Sequence, residues 1–378
     1  MTADARLSPA PRSDAVDLLR GAAIALMGLD HALAALDPQH LVTDSPALWS
    51  SGSELPAVPF LLRWASHFCA PIFLLLAGAG LALARARHGA LAARRGAERA
   101  LFLMLLDPLV LGWVWSWIEP LPRPWLFQVI FAIGASMALG LLALRSVPSR
   151  WRTGLALGFL LAQDLVIYVA LRGELDTPPS GLVAFLLTGG IGASTFVIYP
   201  VLPWCAVLLL GVRLGELLSS GEPGPDVERR VRRAGLGLLA LFLLVRGANG
   251  YGNLGLYRDE LSLLQWLHCA KYPPALSYLA MTLGPALLLL AALLRRERSG
   301  RGMPRLLTPL VILGRAALVF YLAHLLLLAA LRAAVPESWR GTLLAVSVAC
   351  ALPFVLLPLA QAFLRARRAH PESWLRLL

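Results

Sequence analysis

DLLRGAAIALMGLDH, residues 17–31, places Asp17 and Arg20 at one end of an apolar run and Asp30 and His31 at the other. The run extends over about 15–36, long enough as a helix to cross the roughly 30 Å hydrocarbon core of a bilayer. An ionisable group at that depth costs several kcal/mol unless it is paired or solvated, so each of the four needs a reason to be there. At about 100° per residue, Arg20 and His31 fall within about 20° of one azimuth, with Asp17, Ile24 and Met27 nearby. The helix therefore has one stripe that is polar at both ends.

The rest of the chain follows the same logic. Hydrophobic residues fill 58% of the 378 positions and charged ones 15%, too little polar surface to cover a water-soluble globule of this size. Apolar stretches at about 15–36, 58–84, 98–118, 125–144, 152–171, 198–218, 233–249, 274–295, 306–332 and 341–365 predict about ten crossings. The expected fold class is thus an all-α polytopic transmembrane bundle. Ser180 to Val197 (SGLVAFLLTGGIGASTFV) is apolar but rich in Gly and Thr, and reads as a re-entrant segment or part of a longer sixth span. There is no heptad, no repeat and no segment large enough to form an extramembrane domain. The expected layout is a tail over 1–14, a membrane domain over 15–366 and a second tail over 367–378.

The net charge of +12 comes from arginine, since Lys271 is the only lysine. Arg85, Arg87, Arg94, Arg95 and Arg99 fill one loop, and Arg145, Arg150 and Arg152 another. Further clusters lie at Arg229–Arg233, Arg295–Arg305 and Arg365–Arg368. The intervening loops carry Asp37, Asp44 and Glu54, then Glu119, then Glu174 and Asp176, then Asp259 and Glu260. By the positive-inside rule both termini are cytoplasmic, and a cell membrane is the expected location. Arginines confined to short loops set topology, which argues against nucleic-acid binding. Cys69, Cys205, Cys269 and Cys350 are widely spaced without a CxxC pair, so they read as small packing residues, with no metal site and no disulfide framework. The first span lacks a convincing cleavage site and reads as a retained helix. Trp113, Trp115, Trp117 and Trp125 read as an interfacial belt.

The other candidate site residues also gather toward the outer ends of helices. Arg63 and His67, four apart, share a face at the start of the second span, followed by Pro71. Gly78 and Gly80 read as close-packing positions, and such glycines leave room for a homodimer. Tyr199, Pro200 and Trp204 open the sixth span, and Lys271 and Tyr272 precede the eighth, where Pro273 and Pro274 fit a first helical turn. Lys271 is placed to meet a carboxylate or phosphate. Arg315 and His324 are nine apart and point to opposite sides of the ninth span, so they share one narrow pocket only if the helix breaks there or the pocket wraps around it. Asp17 and Arg20 have a plainer alternative as an i,i+3 ion pair, and Asp107 and Asp164 have no evident partner. A histidine beside an aspartate can be held in one tautomer as a general base, which makes His31 with Asp30 the leading candidates and His67 the next. His31, His67, Lys271 and His324 are expected to open onto a shared outer cavity.

Five segments together resemble bacterial members of the heparan-alpha-glucosaminide N-acetyltransferase catalytic-domain family. They are DLLRGAAIALMGLDH (17–31), RWASHFCAPIFLLLAG (63–78), YPVLPWCAVLLLG (199–211), KYPPALSYLAMTLGPALL (271–288) and GRAALVFYLAHL (314–325). The resemblance implies a helical membrane enzyme that moves an acyl group, typically acetyl from acetyl-CoA on the cytoplasmic side, to a sugar or other envelope acceptor on the far side. It implies a catalytic histidine near the outer end of the opening helices, which maps to His31. On that reading no cofactor is bound permanently and acyl-CoA is a co-substrate, with Arg20 and Arg315 available for its phosphates and Arg63 or Lys271 for a developing oxyanion. A small-molecule transporter or exporter is the competing expectation, since it too would place charges inside a bundle, although no inverted repeat is visible.

Overall fold

The computed structural model describes residues 13–119, 125–171, 181–192, 194–219 and 224–378. The tail through Arg12, Ser180 and the loop acids Glu174 and Asp176 lie outside the described residues. In chain order, α1 spans Asp14–Leu36, α2 Ala57–Ser66, α3 Cys69–His88, α4 Ala90–Leu106 and α5 Gly112–Ile118. After β1 (Trp125–Phe127) come α6 (Val129–Ser146) and α7 (Ser149–Ala170). A short turn, α8 (Gly181–Val183), leads to β2 (Gly190–Ile191) and β3 (Thr195–Val197). The remaining helices are α9 (Val201–Ser219), α10 (Pro225–Ala248), α11 (Leu263–Leu267), α12 (Leu276–Arg298), α13 (Thr308–Arg315), α14 (Ala317–Ala334) and α15 (Thr342–Ala369).

Among the described residues, nine helical stretches are long and apolar enough to cross a bilayer. The expected span at 233–249 lies inside α10, whose first turns carry Glu228, Arg229, Arg230, Arg232 and Arg233. The protein is accordingly an all-α multi-pass membrane protein. Several spans are broken where the sequence denies the backbone a regular ladder. Pro108, which has no N–H, sits in a π-turn over Asp107–Leu111 between α4 and α5. Residues 67–68 separate α2 from α3, and Ala316 separates α13 from α14.

α12 lies deepest, followed by α3 and α9, whereas α7 and α15 turn Leu157, Leu161, Leu165, Phe354, Val355 and Leu359 outward, as lipid-facing helices do. At the centre, α1 packs against α3, α12, α13, α14 and α15. It starts sharply because the Ser13 side chain accepts from the Val16 N–H while Asp14 and Asp17 sit in the positive first turn.

Glycines set the closest approaches. A Cβ at Gly21 of α1 would lie 1.9 Å from Leu310 O of α13, and one at Gly314 the same distance from Asp17 O. Likewise Gly78 of α3 meets Leu208 O and Gly211 of α9 meets Leu75 O, each at 1.9 Å, while Gly134 of α6 meets Ala100 O of α4 at 2.7 Å. These glycines are engaged within the chain, so they supply no argument for a second copy. Gly80 has nothing within 4 Å and lines a cavity instead, unlike the close-packing position expected of it.

The stretch after Ser180 neither crosses nor continues the sixth span. It folds as two helical turns and the strands β2 and β3, with β3 parallel to β1 and antiparallel to β2. Gly189 and Gly190, at φ 72° and 142°, turn the chain into β2 in conformations that side chains rarely adopt. Pro273 and Pro274 stand in the loop before α12, which begins at Leu276. The Pro274 carbonyl accepts from Gln163 Nε2 at 2.6 Å.

Candidate active site

Two polar clusters and one cavity surround α1. The first cluster is built on Arg63, at the end of α2 and buried. Its Nη1 donates to Asp30 Oδ1 at 2.6 Å and its Nη2 to both oxygens of Asp44 at 2.8 and 3.2 Å. His67 Nε2 lies 3.2 Å from Asp44 Oδ2 and His40 Nε2 lies 3.5 Å from Asp30 Oδ1, both off hydrogen-bond alignment. Burial pushes the Asp44 carboxyl up, but the Arg63 guanidinium outweighs it and, with His67 and Lys271 adding, holds it well below the usual carboxylate range.

The same loop ties in the segment ahead of α12, because the Asp44 carbonyl accepts from Lys271 N at 2.7 Å and Tyr272 N at 3.2 Å. Lys271 Nζ sits 5.0 Å from the centre of the Tyr272 ring, with no carboxylate of the described residues within ion-pair distance. The Tyr272 hydroxyl is 3.3 Å from that of Tyr199. Trp204 is fully buried against Tyr199 and Tyr278, and the Tyr278 hydroxyl donates to His67 O at 2.7 Å.

The second cluster is built on His31. Its Nδ1 lies 2.7 Å from His324 Nε2 of α14, and His324 Nδ1 lies 2.9 Å from the Phe320 carbonyl one turn earlier. The His31 ring also meets Trp115 edge-on at 4.8 Å and Tyr321 at 5.9 Å. The Trp115 Nε1 and the Tyr321 hydroxyl are both buried without a hydrogen bond. Asp30 therefore does not orient its neighbour, as had been expected: adjacent helical residues face about 100° apart, and Arg63 holds the carboxylate elsewhere.

The cavity, of about 440 Å³, lies between α1, α3, α4, α6, α13 and α14. Arg20, Arg95, Arg99, Arg315 and Arg367 line it, along with apolar side chains including Met27, Phe73, Ile130 and Met137, and Tyr321. Tyr321 is thus shared between the cavity wall and the histidine cluster. Arg20 donates to Asp17 at 3.0 Å and Gly314 O at 3.3 Å, while Arg315 donates to Asp17 at 3.0 Å and to Asp14. The chain after α15 reaches the same place. Arg95 pairs with Glu372 at 2.8 Å, Arg376 with Glu98 at 2.8 Å, and Arg99 reaches Leu378 O.

The shared outer cavity expected of His31, His67, Lys271 and His324 is not what the structure has. His67, Lys271 and His324 are buried, only His31 is partly exposed, and none of the four lines the large cavity. Arg63 draws Asp30 and Asp44 together, which fills that end of the bundle and leaves the space beside the arginines at the other. Arg315 does reach the cavity, because the helix breaks at Ala316, but His324 faces α1 instead.

Sequence reasoning passed over Trp115, Tyr321, His40 and the role of Asp44. Trp113, Trp117 and Trp125 are exposed as a belt would be, but Trp115 is buried on His31. Asp107 and Asp164 do have partners, the N–H groups of Gln128 and Phe131 for the first and of Gly252 and Leu254 for the second. Among the described residues, no group of three or more His, Cys, Asp or Glu side chains could hold a metal ion.

Membrane-crossing helices around a hydrogen-bonded histidine pair, beside an arginine-lined cavity, define a polytopic membrane protein with a polar interior. The profile described as heparan-alpha-glucosaminide N-acetyltransferase, catalytic, matches residues 12–241, more than half of the chain, and the protein belongs to that family of membrane acetyltransferases. Among curated proteins no match was found. The matched region carries His31, Arg63, His67 and much of the cavity wall, whereas Lys271, Tyr321 and His324 come from the segment that follows.

Proposed function

We propose that the protein transfers an acyl group, acetyl in the first instance, from acyl-CoA to an amine or hydroxyl of an envelope acceptor such as a glycan, with His31 at the junction. The observation that carries this reading is the cavity with arginines along its lining and, in Tyr321, a wall that touches His31. CoA is a polyanion on a flexible thiol arm, so guanidinium groups suit its phosphates and an apolar passage suits the arm. On this reading Arg20, Arg95, Arg99 and Arg315 face the cytoplasm with both termini, and the Arg63–Lys271 end faces outward across a bacterial inner membrane.

In the reaction the acceptor nitrogen or oxygen attacks the thioester carbonyl while His31 takes its proton. The C–N or C–O bond forms, the C–S bond breaks, and the CoA thiolate takes that proton back from His31 to leave as the thiol, which returns the imidazole to its neutral form. The unpaired donors of Trp115 and Tyr321 are available to the carbonyl oxygen as it gains charge. On the other side, Asp30, His67, Tyr199, Trp204, Lys271 and Tyr272 make up the ground on which an acceptor would be recognised.

The test is acyl transfer by the purified protein in lipid nanodiscs, supplied with acetyl-CoA and envelope extracts. Acylated product that disappears in a folded His31→Ala variant supports the reading. Unaltered transfer in that variant, or solute flux into vesicles without any acylated product, overturns it.

A further inference from the structure

We infer that His324 is the positioning residue of this site: it fixes His31 in the tautomer whose unprotonated, reactive nitrogen is Nε2. The inference rests on the proposed acyl transfer for its kinetic consequence, but not for its geometry.

The argument is a count of protons along three groups. A backbone carbonyl only accepts, so His324 Nδ1, 2.9 Å from Phe320 O, carries the hydrogen. A neutral imidazole with Nδ1 protonated has a bare Nε2, and that atom lies 2.7 Å from His31 Nδ1. His31 must therefore donate from Nδ1, which leaves its own lone pair on Nε2. Among the described residues nothing hydrogen-bonds to that nitrogen, and His31 is the one partly exposed member of the pair.

The two ring planes lie within 14° of each other with centroids 5.0 Å apart, which together with the short nitrogen-to-nitrogen contact sets them side by side in nearly one plane, as a straight N–H···N bond requires, while Phe320 stacks on His324 at 5.2 Å. Trp115 and Tyr321 meet the His31 ring at near right angles, with ring centres 4.8 and 5.9 Å away. The charged groups of the first cluster, Asp30, Arg63 and Lys271, are near enough to act on His31 electrostatically, with Asp30 committed to Arg63.

This arrangement gives a histidine the part that a carboxylate plays in a hydrolytic triad, but with a neutral acceptor. When His31 Nε2 takes a proton from the acceptor, its Nδ1–H is already directed at His324, which can share the new charge. The relay ends there, since the Phe320 carbonyl cannot take a proton on. Removing His324 leaves the His31 ring free to place its proton on Nε2, where it blocks the reacting atom.

The experiment compares wild type with His324→Leu, which has no acceptor, and His324→Gln, which offers an amide oxygen, all in nanodiscs. Diethyl pyrocarbonate acylates bare imidazole nitrogen, so its rate at His31, read by peptide mass spectrometry across pH 5–8, reports the tautomer without any turnover. His324→Leu is expected to slow that reaction several-fold and to lower kcat for acyl transfer about 10- to 100-fold, the range usual when an orienting partner is lost. The KM for acyl-CoA should stay unchanged, and His324→Gln should recover much of both rates. Labelling and kcat that match wild type in the leucine variant would overturn the inference. Slowed labelling together with acyl transfer that survives His31→Ala would leave the relay in place and remove the proposed function alone.

Discussion

Asp44, in the loop between α1 and α2, receives Arg63 Nη2 on both of its carboxylate oxygens, at 3.2 and 2.8 Å, with both side chains buried. A loop of this kind would otherwise ride on the surface. Here it is clamped into the helix bundle and, through the Asp44 carbonyl, clamps the segment before α12 as well.

Cutting that clamp is expected to be expensive. Arg63→Ala strands the buried Asp44 and the partly buried Asp30, and breaking a buried pair from one side costs about 3–5 kcal/mol. Thermal unfolding in detergent should show a large drop for Arg63→Ala, and a smaller one when Asp30 is changed to Asn along with it. An Arg63→Ala protein as stable as wild type would contradict the reading of the cluster as mutually supporting.

The loop between α1 and α2 should also loosen in acid. Burial depresses His268, next to the loop at Thr43, whose carbonyl lies 2.8 Å from His268 Nε2. A depressed folded pKa means that the unfolded state binds more protons over the interval, so stability is full above about pH 6.5 and falls as the pH drops below it. Asp44 works in the same direction further down, with stability present above about pH 4 and lost below. Limited proteolysis of residues 37–56 should accelerate between pH 7 and 5, and His268→Gln should flatten that response.

The sequence makes the bundle plain, since nearly every apolar run becomes a helix in the expected place. It is less forthcoming about the site, for physical reasons that differ from residue to residue. His31 stands out as a histidine at membrane depth, but its partner depends on how α1 and α14, 293 positions apart, are rotated against each other. Trp115 was decipherable: 113 and 117 are four apart and share a face, which puts 115 about 200° away, toward the interior. Asp44 was not, because a loop carries no periodicity from which to infer where a carboxylate will turn.

His31→Ala should reduce acyl transfer by about two to four orders of magnitude, the usual contribution of a general base, with KM for acyl-CoA little changed. His67 lies beside Asp44, with its backbone carbonyl accepting from the Tyr278 hydroxyl, and does not line the cavity, so His67→Asn should act on the KM for the acceptor rather than on proton transfer. If His67→Asn removed activity while His31→Ala retained it, the base would have been assigned to the wrong histidine.

At the other end, Arg99→Gln is expected to raise the KM for acyl-CoA roughly tenfold, the equivalent of one charge-assisted hydrogen bond at about 1.4 kcal/mol, and to leave kcat alone. The increase should shrink as ionic strength rises. A variant whose KM equals that of wild type at low salt would place the CoA phosphates elsewhere.

Gly78→Val and Gly80→Ala make a matched pair of opposites. A Cβ at Gly78 would collide with the Leu208 carbonyl, so the folded yield should collapse. At Gly80 there is open space, so the protein should fold normally and show any effect only in its affinity for acyl-CoA. Size-exclusion chromatography of the two, followed by kinetics on the second, settles the matter.

Backbone-to-backbone contact at the glycines couples α1 to α13, α3 to α9, and α4 to α6 so tightly that each couple must travel as a single strut. The cavity occupies the seams between these three struts. Widening it to admit a bulky anion then means sliding one strut past another, while the mutual aim of His31, on the α1–α13 strut, and Trp115, on α5 beyond the π-turn that ends α4, is renewed only when the seams close again.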